Sequence, residues 1–292
     1  MRILTIVNER SPTSYLTLKA VALNAARLDS IAMRGRGAAL AFWRGFFTAA
    51  LDTVEMGDLT IALYGLAPSG APKKGLQPWE LDWYASSLPA APCRVLVTAA
   101  GTGREVRELR RLGYSVDAFE PAPGHASRIE GAPDAIIAAA SYEDLVRATL
   151  GDSSSAAAPF VTRRYDAVIL GWGSLTHVLE RESQHAVLAA CDALCPTGPI
   201  LASFWPAAVA ERRGRAFRGG RRAGRVVARL RRRAGARTVA PEPPDDLGFS
   251  FNVGFTRRFS REDLEALAVD LKRSVASYET EPYARATIVP AG

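Results

Sequence analysis

Short apolar runs alternate with helix-like segments between residues 94 and 205, and this alternation limits the fold more than any other feature. The runs that are typical of strands cover 94–101, 114–121, 134–141, 165–171 and 198–205. Consecutive parallel strands need crossover connections, and these are right-handed. We therefore expect an α/β fold in which a mostly parallel sheet carries helices on both faces.

The C-terminal part adds two strands to this pattern. An extended segment at 249–259 precedes a predicted helix over 261–272, where Ser260 and Asp263 resemble a capping box. Residues 274–281 and 283–290 follow as strands and are separated only by Pro282. One residue cannot hold a crossover helix, so these strands must be antiparallel if they pair. The expected sheet is Rossmann-like, with seven strands and an antiparallel C-terminal pair.

The N-terminal part has a different character. Residues 14–56 show helical spacing, with a second helix predicted over 37–56, and a Pro/Gly-rich connection follows at 65–78. That second helix would present one apolar face made of Leu40, Trp43, Phe47 and Leu51. We expect a helical N-terminal extension or lid over 1–78 and an α/β domain over 79–292.

Positive charge is concentrated in one segment. The chain carries a net charge of +7, yet residues 211–237 hold twelve Arg and one acid, which leaves −4 on the rest. We treat 206–247 as an Arg-rich insertion with three open interpretations. It is a solvated segment, it contacts anionic lipid or a phosphorylated substrate through Arg221–Arg233 beside Val226, Val227 and Leu230, or it binds nucleic acid. Nucleic acid is disfavoured because only Phe217 lies among the arginines.

Several classes of protein do not fit the sequence. Three cysteines without ligand spacing predict neither a disulfide framework nor a metal site. The N-terminal apolar run ends at Asn8 and Glu9 without a cleavage site, and no stretch approaches about 18 uncharged apolar residues. We therefore expect a cytoplasmic protein, with peripheral membrane contact through the insertion as an option.

The segment AAGTGRE at 99–105 lies between the first strand and its helix. Small residues there let the backbone approach a ligand, and the helix N-terminus offers free N–H groups to an anion. Glu120 ends the next strand, 19 residues after Gly101. A carboxylate at that edge is placed to bind two ribose hydroxyls. A Gly-x-Gly turn also occurs without a ligand, so this interpretation depends on the agreement between turn and acid.

The sequence excludes two other kinds of nucleotide-binding site. A dinucleotide fingerprint needs a third glycine, and its position is occupied by Val106 or Arg104, depending on the register. A Walker loop needs Gly-Lys followed by Ser or Thr, which does not occur in the sequence.

Besides RVLVTAAGTGRE and VDAFEP, the sequence contains ASYEDL, YDAVILGWGSLTHVL, a fifth strand after CPTGP and the closing strand pair. On these segments, residues 79–290 resemble the class I S-adenosylmethionine-dependent methyltransferases. The resemblance implies S-adenosylmethionine as the cofactor and a cofactor site made of Ala99, Gly101, Gly103, Glu120, Pro121, Ser141, Tyr142, Gly171 and Trp172. The sequence departs from the family pattern at Val97, Ala99 and Ser141, where the family usually has an acid, a glycine and an aspartate.

The residue that performs the chemistry is less defined by the sequence. His177, after the fourth strand, is either a general base, for which its ordinary pKa is suitable, or a structural histidine that opens the next helix. Glu80 and Tyr84 either close over the cofactor or pack their helix on the sheet. We expect O- or N-methylation of a small or lipid-linked acceptor, although a resemblance in fold does not by itself select the acceptor. RNA methylation and cofactor binding without catalysis remain alternatives.

Overall fold

The structure is a computed structural model that describes residues 35–66, 75–207, 214–233, 247–250 and 253–292. The helix predicted from residue 14 lies outside these ranges up to residue 34. None of the described helices has the length and hydropathy that are needed to span a bilayer.

A seven-stranded sheet forms the centre of the fold. Its strands are β1 (Arg94–Thr98), β2 (Ser115–Phe119), β3 (Ile137–Ala138), β4 (Ala167–Leu170), β5 (Ile200–Ser203), β8 (Arg273–Glu279) and β9 (Arg285–Pro290). Their order is β3-β2-β1-β4-β5-β9-β8. Only β9 runs antiparallel to its neighbours, β5 and β8. This confirms the predicted α/β sheet and its C-terminal antiparallel pair.

The helices cover both faces of this sheet. They are α3 (Pro78–Ser87), α4 (Arg104–Arg111), α5 (Pro123–Ala126), α6 (Tyr142–Thr149), α7 (Arg181–Leu194) and α9 (Arg261–Asp270). Because side chains alternate along a strand, Val95 and Val97 pack toward α3 and α4, whereas Leu96 packs toward α6, α7 and α9. The side chains of Val95, Leu96 and Val97 are fully buried.

Capping boxes define two helix starts at the sheet edge. Ser260 and Asp263 cap α9 reciprocally, as the sequence predicted, and Ser141 and Asp144 cap α6 in the same way. Each box satisfies backbone N–H groups that the first turn of a helix leaves without partners.

The N-terminal helical prediction was wrong in its boundaries. Within the described residues helix α1 covers 35–50, and α2 (Thr53–Leu66) begins after a break at 51–52, inside the predicted helix over 37–56. Asp52 caps the start of α2, because its carboxylate accepts the Glu55 N–H at 2.9 Å and its own N–H donates to the Glu55 carboxylate at 3.1 Å. The predicted apolar face is buried only in part, since Leu40 and Trp43 are each 42% exposed, whereas Phe47 and Leu51 pack against a buried apolar cluster.

The Arg-rich insertion contains a helix, α8 (Arg215–Arg233), that the sequence did not predict. Glycines let α8 approach α1 closely. A Cβ atom on Gly220 would lie 1.9 Å from the Phe42 carbonyl oxygen, and one on Gly45 would lie 2.2 Å from the Phe217 carbonyl oxygen. The segment predicted as one extended run at 249–259 instead contains a two-stranded hairpin, β6 (Gly248–Ser250) and β7 (Gly254–Thr256).

Helices α1 and α2 pack with this hairpin and α8 packs on α1, and we call α1, α2, α8 and the hairpin together the cap. The Phe47 and Phe249 rings lie 5.2 Å apart, and the Phe255 N–H donates to the Thr60 hydroxyl at 3.0 Å. Phe255 also joins a buried apolar cluster with Leu179, which follows β4. The N-terminal helices and the insertion, which are distant in sequence, are therefore in contact beside the carboxyl edge of the sheet.

Candidate functional site

The register of the sheet brings three chain segments to one edge. Val97 of β1 pairs with Ala118 of β2 and with Ile169 of β4. The glycine turn, Glu120 and Gly171 directly follow these strands, so all three lie at the carboxyl edge. This edge is where ligands bind in open parallel sheets.

The glycine turn has left-handed backbone at three positions. The φ angles are +47° at Ala99, +56° at Gly101 and +80° at Gly103. A Cβ atom on Gly101 would have no atom within 4 Å, whereas one on Gly103 would lie 3.1 Å from the Ile129 side chain. The turn is thus open in front of Gly101 and packed at Gly103. Ala99 adopts this backbone at a cost of about 1–2 kcal/mol.

Glu120 is joined directly to this turn. Its two carboxylate oxygens accept the Gly101 N–H at 2.9 Å and the Ala122 N–H at 3.0 Å. Burial raises the pKa of Glu120, and the hydrogen bonds from Ala122 and Gly101 oppose that shift. Each carboxylate oxygen has two lone pairs, so each can accept a further hydrogen bond from a ligand. The structure therefore brings together the turn and the acid that the sequence paired.

Gly171 lies against the same turn. A Cβ atom there would be 2.4 Å from the Thr98 carbonyl oxygen and 2.5 Å from the Ala99 carbonyl oxygen. Both contacts are with backbone, which cannot rotate away as a side chain can. Gly171 therefore fixes the distance between the end of β4 and the glycine turn.

Gly171→Ala is expected to destabilise the protein by about 1–3 kcal/mol, because the added methyl group must displace backbone. Urea unfolding measures the difference. Gly57→Ala is the matched control, since its Cβ would meet nothing within 4 Å inside helix α2. We expect the control to be neutral or slightly stabilising. Equal stability of the two variants would contradict the close approach at Gly171.

Trp172 begins an aromatic wall that consists of Trp79, Trp172, Trp205 and Tyr283. The Trp172 side chain is 38% exposed, and its ring centroid lies 5.2 Å from that of Tyr283. Tyr283 stacks on Trp79 at 5.9 Å and bonds the Trp205 indole N–H through its hydroxyl at 3.0 Å. Large flat surfaces therefore border the site beside Gly171.

Helix α3, which carries Trp79 of this wall, is held against the start of α4 by buried polar contacts. Arg104 donates to both carboxylate oxygens of Glu80, and its guanidinium lies 5.3 Å from the Trp172 ring centroid. The Tyr84 hydroxyl donates to Glu105 at 2.6 Å. Glu80, Tyr84 and Glu105 are buried. Of the two roles that the sequence left open for Glu80 and Tyr84, the structure favours packing.

Ser141 and Tyr142 hold the edge together beyond β3. Both the N–H and the hydroxyl of Ser141 bond the Asp144 carboxylate. The Tyr142 hydroxyl bonds the Thr98 hydroxyl at 2.8 Å and the Ser174 hydroxyl at 2.6 Å. The side-chain polar atoms of this pair are thus engaged within the protein, while the half-buried Tyr142 ring packs edge-on against Phe119 at 5.9 Å. Pro121, directly after Glu120, is half-buried as well.

His177 is half-buried between the cap and the sheet. Its Nδ1 lies 2.8 Å from the Phe255 carbonyl oxygen and its Nε2 lies 3.3 Å from the Tyr64 hydroxyl. A carbonyl oxygen only accepts hydrogen bonds, so Nδ1 carries the hydrogen and Nε2 accepts from Tyr64. Burial lowers the pKa of His177, which keeps the ring neutral near pH 7.

Tyr64 is the site residue that the sequence did not indicate. Burial, together with the nearby Tyr283 and Glu120, raises its pKa to about 12, so its hydroxyl stays protonated. It lies on α2, far from the sheet in sequence and without a local motif. Only the contact between cap and sheet places it near Glu120.

Within the described ranges, no group of three or more His, Cys, Asp and Glu side chains converges in a way that could hold a metal ion. Among the ionisable groups that the structure brings to the carboxyl edge are Glu120, Tyr64, His177 and Tyr283.

Comparisons with known proteins add the following. No family model matches the sequence, and no curated protein matches it. Among solved structures, the CcbJ methyltransferase from Streptomyces caelestis is 15% identical with a TM-score of 0.49, covering 83% of this chain and 100% of that one. The amino pentose methyltransferase CalS10 from Micromonospora echinaspora, solved with bound SAM, is 14% identical with a TM-score of 0.44, covering 75% and 99%.

A third structure, described as a Zn-dependent alcohol dehydrogenase from Rhodobacter sphaeroides, is 13% identical with a TM-score of 0.48, covering 80% of this chain and 98% of that one. Likeness at this level concerns the fold, which proteins of different activities share. It carries no activity or residue role to this chain.

Proposed function

We propose that this protein is an S-adenosylmethionine-dependent methyltransferase that acts at O or N of a small-molecule or lipid-linked acceptor. The observation that carries the proposal is the Glu120 carboxylate, which is held by the Gly101 and Ala122 N–H groups at the mouth of a turn that is open in front of Gly101. Such an acid beside such a turn suits the ribose of a nucleoside.

The same turn disfavours a dinucleotide. A third glycine would allow the helix to pack closely beneath a pyrophosphate, and Val106, which is fully buried, occupies that position. A nucleoside without phosphates needs no such approach. S-adenosylmethionine fits this requirement, and when bound it supplies an electrophilic methyl group on a sulfonium.

The proposed contacts follow the edge of the sheet. Glu120 would bind the ribose hydroxyls, the backbone of 99–103 the methionine end, and Pro121, Ser141 and Tyr142 the adenine. Gly171 and Trp172 would face the methyl group. The engaged polar atoms of Ser141 leave the adenine to apolar contact in this proposal, and Val97 supplies no carboxylate to the methionine end.

Methyl transfer of this kind is an in-line displacement, which gains mainly from holding the acceptor at the correct distance. The aromatic wall and Tyr64 would hold the acceptor. For an acceptor that must lose a proton, Tyr64 and His177 form a path: the Tyr64 hydroxyl takes the acceptor proton while its own proton passes to Nε2 of neutral His177. At the end of this path, the proton that the acceptor loses would reside on Nε2 of His177, while Nδ1 keeps its hydrogen bond to the Phe255 carbonyl oxygen.

The alternatives to this proposal have less support. An RNA methyltransferase would use aromatic stacking among its arginines, yet Phe217 is buried against α1. A cofactor-binding protein without catalysis would not need the Tyr64–His177 pair. The free thiols of Cys93, Cys191 and Cys195 fit a reducing compartment, and we propose the cytoplasm.

A labelling experiment tests this function. The protein is incubated with S-adenosylmethionine carrying a radioactive methyl group and with a panel of phenols, amines and amino sugars, each free or linked to lipid in vesicles. We expect transfer of the label to a hydroxyl or amine of at least one class. Tight binding of S-adenosylhomocysteine without any transfer would support the alternative of cofactor binding without catalysis.

A further inference from the structure

Helix α8 carries three stripes of different chemistry. Arg215, Arg218, Arg222, Arg225 and Arg229 repeat at spacings of three and four residues, which places them along one side of the helix. Phe217, Gly220, Gly224 and Ala228 form a second stripe by the same spacing and are buried. Val226 and Leu230 lie on a third, adjacent side.

The exposed sides of α8 are both basic and apolar. All five arginines of the stripe are exposed, and α8 contains no acidic residue. Val226 is 55% exposed and Leu230 is 57% exposed. A helix that has Arg on one side and exposed aliphatic residues beside them is typical of helices that lie in the interface of a membrane.

The packing of α8 fixes which side faces outward. The contacts of Gly220 and Gly224 with the α1 backbone leave no room for rotation of the helix. Arg221, which the sequence included in the basic patch, lies on the α1 side instead, since a Cβ atom on Gly45 would be 3.0 Å from its backbone nitrogen. The outward surface is therefore defined by the stripe Arg215–Arg229 together with Val226 and Leu230.

We infer that this outward surface of α8 binds an anionic lipid bilayer. The arginines would pair with headgroup phosphates, and the two aliphatic side chains would enter the boundary between headgroups and acyl chains. RNA would use the arginines but gain nothing from exposed Val226 and Leu230. The inference is independent of the proposed methyltransferase function. Because Tyr64 belongs to the same cap as α8, binding of α8 to a membrane is also consistent with a lipid-linked acceptor.

Co-sedimentation with vesicles tests the inference on the full chain. The probes are vesicles of phosphatidylcholine with phosphatidylglycerol and vesicles of phosphatidylcholine alone, across a salt series. We expect binding to the anionic vesicles only, with affinity that falls as salt rises. The triple variant Arg215→Gln, Arg222→Gln, Arg229→Gln should bind on the order of 100-fold more weakly, from about 5-fold per arginine.

Two further variants separate position from charge. Arg107→Gln, Arg111→Gln, Arg147→Gln removes three exposed arginines elsewhere and should bind like the wild type. Val226→Ser, Leu230→Ser should keep binding at low salt and lose it at physiological salt. Equal losses of vesicle affinity in the two arginine variants would overturn the inference. It would also be overturned if filters retained RNA more tightly than vesicles bind the protein at the same salt, and if the α8 variant lost that retention. Unfolding curves verify that every variant folds.

Discussion

Replacing His177 with asparagine is expected to lower turnover by roughly 10²–10⁴-fold and to leave the affinity for S-adenosylhomocysteine unchanged. The variant removes the basic Nε2 that accepts from Tyr64, while its amide can still donate toward the Phe255 carbonyl oxygen. Turnover is measured with whichever acceptor class takes the labelled methyl group. Binding is measured by calorimetry on the same protein.

The pH dependence of turnover tests the role of His177 further. His177 must be neutral to accept a proton, and burial lowers its pKa below the ordinary 6.5. Turnover of the wild type should therefore hold as pH falls through 6.5 and decline only below it. Tyr64→Phe removes one hydroxyl and should lose both the rate and this acidic limb, because its proton path to His177 is gone. A histidine that only ties the cap to the sheet would instead give variants of reduced stability with normal turnover per folded molecule.

Glu120→Ala is expected to weaken S-adenosylhomocysteine binding about 10- to 150-fold. Losing a charged hydrogen-bond acceptor costs about 1.5–3 kcal/mol, which corresponds to that range of affinity. Glu143→Ala, which removes an exposed carboxylate on α6, is the matched control and should bind normally. Unchanged affinity in Glu120→Ala would show that the ribose does not lie at this carboxylate.

The affinity should also depend on pH through Glu120. Its raised pKa means that the carboxylate gains a proton at a higher pH than an ordinary glutamate does. The protonated form keeps less capacity to accept from ribose hydroxyls, so affinity should fall on acidification from neutral pH. Glu120→Ala should show a flatter profile.

The sequence predicted most of the sheet because its signals there are local. Apolar runs, the capping residues Ser260 and Asp263, and the short link at Pro282 each act within a few residues of chain. The link between Gly101 and Glu120 was predictable as well, since parallel strands bring their carboxyl ends to one edge.

The cap was not predictable by the same means. The side of α1 that is buried depends on Gly45 meeting the α8 backbone, a contact between segments about 170 residues apart. The sequence of α8 shows no clear apolar periodicity, because the buried side of this helix is made largely of glycine and alanine instead of large apolar residues. The position of Tyr64 near the site depends on these contacts between distant segments, so no local sequence pattern indicates that Tyr64 belongs to the site.

The open glycine turn and Glu120 are proposed to bind the nucleoside of S-adenosylmethionine. Isothermal titration of the wild-type protein with S-adenosylhomocysteine and, separately, with NAD tests this binding. We expect saturable heat with S-adenosylhomocysteine and none with NAD, since Val106 replaces the third glycine that a pyrophosphate requires. Saturable heat with NAD and none with S-adenosylhomocysteine would contradict both the proposed cofactor and the proposed function.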